Sequence, residues 1–131
     1  MLATMACGNK SQKQEVHGMS PEPGSPTEAL YNQVMDIHDE VMPKTEDLYN
    51  LSKQLKEKMT NTTTEEEKQD LQFRILYLDS VNNMMMDWMH EFQPITDSTD
   101  EEVGRAYYET QLEKVKKVKE AILMAVEKET K

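Results

Sequence analysis

With 131 residues the chain has room for one domain. Its 25 acidic against 15 basic side chains give a formal charge of −10, which disfavours nucleic acid and anionic lipid headgroups as electrostatic partners. A single cysteine excludes an intramolecular disulfide and a cysteine-based zinc cluster, and no run approaches the roughly 18 apolar residues of a membrane span. Four glycines in a chain rich in Glu, Lys, Gln, Leu and Met point to an all-α protein.

The cysteine, Cys7, follows the small apolar run Leu2-Ala3-Thr4-Met5-Ala6 and precedes Gly8-Asn9-Lys10, the arrangement of a bacterial lipoprotein cleavage site. Residues 1–7 read as a truncated signal remnant: they are shorter than the about 7 to 15 apolar residues of a full signal, so Met1 is expected to be a late start or the start of a truncated product. Thr4 also stands where the lipobox favours Leu. Lipid on Cys7 would anchor the chain to a membrane of the cell envelope, in the periplasm or at the outer membrane. Residues 8–25 form a Pro/Gly/Ser tether, because Gly18-Met19-Ser20-Pro21-Glu22-Pro23-Gly24-Ser25 supports neither a helix nor a central strand.

A helical bundle domain is expected over residues 26–131. Ser25 as N-cap, Pro26 at the first position and Glu28 closing a capping box predict a first helix over about 26–60. Its stripe runs through Leu30, Val34, Ile37, Val41, Leu48, Leu51 and Leu55. Pro43 predicts a kink or break within it. Asn61-Thr62-Thr63-Thr64 interrupts the pattern, and Glu65, Glu66 and Glu67 restart it as a helix over about 64–92. The second stripe is Leu71, Leu78, Val81, Met85, Trp88 and Phe92, flanked by Ile75 and Met89, and Gln93-Pro94 ends it. A third helix, over about 98–129, opens at Ser98 or Thr99 and runs through Tyr108, Leu112, Val115, Val118, Ile122 and Val126, with Gly104 its weak point. Short connections make these an up-down-up antiparallel three-helix bundle or long coiled-coil-like helices.

The residues with chemistry to offer are methionines and histidines. Antiparallel pairing about Thr64 sets Val41 beside Trp88, Leu48 beside Val81 and Leu51 beside Leu78. It also brings His38 level with His90 and Met42 level with Met86. Thioethers and imidazoles suit Cu(I) or Ag(I), so His38, Met42, Met86 and His90 form a candidate copper site that Trp88 would cover. The competing reading is that the methionines fill the core and the histidines face water. Asp36, Asp39, Glu40, Asp87 and Glu91 lack the Glu-x-x-His pairs of a di-iron bundle and read as a solvated face. With no Gly-rich phosphate loop and no nucleophile elbow in the sequence, no catalytic residues are assigned.

The strings Ile37-His38-Asp39-Glu40-Val41-Met42-Pro43-Lys44 and Met84-Met85-Met86-Asp87-Trp88-Met89-His90-Glu91-Phe92, with Ala6-Cys7-Gly8-Asn9-Lys10 ahead of them, resemble a family of small Bacteroidetes lipoproteins. That family carries the label "viral A-type inclusion protein", which reflects coiled-coil similarity and implies no viral function. The resemblance spans residues 28–130 and implies an exported, lipid-anchored helical protein; it supplies no catalytic residues to carry over.

The expectation is therefore a non-enzymatic, membrane-tethered helical module that binds a protein partner or itself. Met85, Trp88, Met89 and Phe92 are its candidate contact patch wherever three helices leave them uncovered. A soft-metal binder is the first alternative, and a cytosolic coiled-coil scaffold, should Cys7 carry no lipid, is the second.

Overall fold

The computed structural model describes residues 21–95 and 100–131; Cys7, most of the tether, Ser98 and Thr99 lie outside them. The described residues form three helices, α1 (Glu28–Thr60), α2 (Glu65–Glu91) and α3 (Glu101–Thr130), and no strand. Each helix packs against the other two, α3 more extensively on α1 than on α2, in a three-helix bundle.

Each helix meets the core along a seven-residue repeat. On α1 the deeply buried Val34, Val41, Leu48 and Leu55 are interleaved with His38, Thr45, Ser52 and Met59, steps of four and three throughout. Ile37 and Leu51, expected on this seam, flank it instead. On α3 the seam is Gly104, Tyr108, Gln111, Val115, Val118, Ile122 and Ala125, extended to Glu129, whose side chain is only 4% exposed. Leu112 and Val126, expected on this second seam, also sit at its margin. Leu71, Ile75, Leu78, Val81, Met85 and Trp88 complete the core from α2.

Polar seam positions are possible because each polar group finds a partner. The Thr45 hydroxyl donates to the carbonyl of Met42 at 2.6 Å, and Ser52 donates across to Asp79 Oδ1 at 2.7 Å. Asp79 also meets Lys56 at 3.4 Å, which joins α1 to α2. Glu40 and Lys119, 3.0 Å apart, join α1 to α3. Arg74 bonds Glu129 through two nitrogens, at 2.7 and 3.2 Å, and so joins α2 to α3.

The starts of α1 and α3 fall two and three residues later than expected, while the other helix ends lie within one residue of expectation. α1 begins after Thr27, not at Pro26. Ser25 instead closes a turn, its carbonyl accepting from Glu28 N–H at 3.1 Å, while the Glu28 carboxylate reaches one residue further back to the N–H of Gly24, which lies in the left-handed region at φ +83°. α3 is capped by Asp100, whose carboxylate accepts from Glu102 N–H at 2.9 Å and from Val103 N–H at 3.4 Å. Of the kink or break expected at Pro43, the break does not occur: α1 runs through the proline. Pro43 stands on the exposed side, where water can take up the hydrogen bond to the Asp39 carbonyl that proline cannot make. Gly104 is a close-approach point, since a Cβ there would lie 3.2 Å from Thr27 Cγ2.

Asn82 Oδ1 is buried on α2 without a hydrogen-bond partner among the described residues. Removing a buried amide oxygen that has no partner removes its desolvation cost, so Asn82→Leu should raise stability by about 1 kcal/mol in urea unfolding.

Candidate functional site

One end of the bundle, where α1 begins, α2 ends and α3 begins, is built from aromatic rings. Trp88 and Phe92, four residues apart and therefore on one face of α2, stack with centroids 4.9 Å apart. Tyr31 from α1 lies 6.5 Å from Phe92, and Tyr107 and Tyr108 from α3 lie 6.2 and 6.3 Å from it. The two α3 tyrosines also hold the chain that leaves α2. Tyr107 Oη accepts from Gln93 N–H at 2.8 Å and Tyr108 Oη accepts from Ile95 N–H at 2.9 Å, on either side of Pro94, which has no N–H to offer.

Trp88 is fixed from the core side, where its indole N–H donates to Gln111 Oε1 at 3.0 Å and both partners are buried. Its other side faces a groove of about 460 Å³ lined by Tyr31, Met35, His38, Trp88, Met89, Phe92 and Pro94. His38 lies against the indole, ring centroids 6.0 Å apart, and its side chain is 17% exposed. Asp39 Oδ1 lies 2.9 Å from His38 Nδ1. A carboxylate only accepts, so Nδ1 carries the proton. In the neutral ring Nε2 is then the free lone pair, and no hydrogen bond engages it among the described residues.

The expected metal quartet is not gathered in this groove. His38 lines it, but Met42 packs partly buried against the core, and Met86 and His90 are exposed. The helix period gives the reason. With Trp88 turned inward, Met86 and His90 lie two residues to either side, about 200° around α2, and must face solvent. Met35, one turn before His38, and Met89, next to Trp88, occupy the groove in their place. The expected contact patch divides in the same way. Met85 is 0% exposed and Trp88 5%, both covered by the three helices, whereas Met89 at 39% and the half-buried Phe92 reach the surface. Cys7 lies outside the described residues.

Two further surfaces compete for attention. A depression of about 640 Å³ at the opposite end is lined by Lys58, Thr64, Glu66, Glu67, Asp70, Leu71 and Arg74. Its guanidinium is already committed to Glu129 and Asp70, and the hydrogen bond to Glu129 is the main reason that the Arg74 pKa lies above its usual value. On the outer face of α2, Phe73 and Leu76 stand one turn apart and more than half exposed. Both fall off the α2 stripe, which was the sequence signal for an uncovered apolar face.

Gln111→Leu leaves the buried Trp88 N–H without an acceptor and is expected to cost about 1 to 3 kcal/mol, read by urea unfolding. Burial of the Tyr108 phenol raises its pKa above the usual value of 10.0, with the Ile95 N–H opposing. The folded state therefore keeps this proton where the unfolded chain loses it. The associated stability is fully present below pH 10 and is lost as pH rises through the folded pKa. Tyr108→Phe should be less stable by about 1 kcal/mol at neutral pH, yet lose less than wild type between pH 9 and 11 in the same unfolding assay.

No protein-family profile, no curated protein and no solved structure matches this chain.

Proposed function

We propose that the chain is a non-enzymatic, lipid-anchored helical protein of the bacterial cell envelope that works as a protein-interaction module. The observation that carries this reading is the pair Phe73 and Leu76, large apolar side chains exposed side by side on the outer face of α2. A helix already packed on two neighbours gains nothing in stability from apolar residues on its solvent side, and such a patch favours contact with another protein. Tyr49 on α1 and Leu123 and Met124 on α3 are also exposed. No helix of the described chain is long and apolar enough to cross a membrane, so attachment in this reading is the task of Cys7.

Two measurements test it. In native cells the full chain should incorporate labelled palmitate and sediment with membranes, and Cys7→Ser should abolish both. An unlabelled protein in the soluble fraction would favour the cytosolic scaffold. A photo-crosslinking residue at position 73 should yield a discrete adduct with one protein, or with a second copy of the chain, while the same group at exposed Lys53 should not. Equal adducts at both positions would remove the α2 face from the proposal.

A further inference from the structure

We propose that Met35, His38 and Met89 bind one monovalent soft metal ion, Cu(I) or Ag(I), beside the Trp88 indole. The proposal goes beyond a partner-binding role and uses a different surface, the groove at the aromatic end.

Besides the Tyr31 phenol, the side-chain donors in the groove wall are two thioethers and one imidazole, with no carboxylate among the lining residues. Hard cations need oxygen ligands, whereas thioether and imidazole donors suit the softer monovalent ions. The methionines concerned are not core fillers. Met85, which is one, has no exposed surface, while Met35 is half-buried and Met89 is 39% exposed at the groove edge. Met35 and His38 are three residues apart on one face of α1, and Met89 approaches from α2, so the donors come from two helices that the bundle already holds together.

His38 is arranged as a ligand. Asp39 holds its Nδ1–H, which fixes the tautomer and leaves Nε2 as the donor, the carboxylate–histidine pairing that commonly stands behind metal-bound imidazoles. The indole is locked from behind by Gln111 and stacked on Phe92 at 4.9 Å, and its centroid lies 6.0 Å from that of the tilted imidazole, so an ion held by His38 would lie beside the indole ring. Asp36 and Asp39 on α1 and Asp87 and Glu91 on α2 are exposed around the site, and the chain as a whole carries −10, a field that favours a cation.

The test uses the full chain carrying Cys7→Ser, because a thiol would outcompete thioethers. Silver nitrate, and separately Cu(I) kept reduced under anaerobic conditions, is titrated in while the fluorescence of Trp88, the single tryptophan, is followed. Native mass spectrometry reads the stoichiometry. One ion per chain with quenching of Trp88 is expected. His38→Gln, and the double variant Met35→Leu with Met89→Leu, should each weaken binding by more than the roughly tenfold that loss of an outer-shell partner costs. The triple variant Met42→Leu, Met86→Leu, His90→Gln should bind as wild type. Circular dichroism on each variant verifies that the bundle is intact. Absence of a one-to-one complex, binding that survives the Met35/Met89 substitutions, or binding lost in the triple variant overturns the proposal. None of these outcomes depends on lipid attachment or on the α2 face.

Discussion

The hydrogen bond from the Trp88 indole to Gln111 is the contact on which the functional end of this bundle depends. It places a polar pair inside the core between α2 and α3, where an unpaired N–H would be costly, and so allows only the alignment in which both partners meet. That alignment sets the plane of the indole. The indole in turn supports Phe92 by stacking, and Phe92 organises Tyr31, Tyr107 and Tyr108 around it. The groove beside His38 is the outer side of the same arrangement, closed at one edge by Pro94 of the connection that Tyr107 and Tyr108 hold.

The ion pairs act on topology more than on stability. Each pair of helices is joined by one, and Glu40–Lys119 and Lys56–Asp79 are exposed enough for each to contribute little. Arg74–Glu129 differs, since Glu129 occupies a seam position and its carboxylate is met by two guanidinium nitrogens. Removing Arg74 would leave a nearly covered carboxylate alone at the far end of α3, which makes the pair a check on how α3 is registered against α2.

The three helices and most of the Leu and Val core were legible in the sequence, because apolar side chains recur at helical spacing and Asn61 to Thr64 and Pro94 punctuate them. What was not legible were the seam positions filled by polar or small residues. Thr45, Ser52, Gln111 and Gly104 carry no apolar signal; Thr45 is satisfied by the Met42 carbonyl on its own helix, whereas the other three belong in the core because of a partner or a close approach that one helix alone does not display. A stripe traced through apolar residues therefore slid to Ile37, Leu51 and Leu112. The metal candidates moved for a related reason. Levelling residues by height along two helices says nothing of the angle at which each side chain leaves its axis, and that angle sent Met86 and His90 to solvent while admitting Met35 and Met89.

The tyrosines that hold the exit of α2 give the bundle a built-in reporter of its own opening. Most backbone N–H groups here are bonded within their own helix and exchange with solvent only when that helix frays. Ile95 N–H is bonded to a side chain on α3, so its deuterium uptake follows the separation of α3 from the end of α2. Helix unwinding and helix undocking, usually merged in a single exchange rate, are in this chain recorded by different amides.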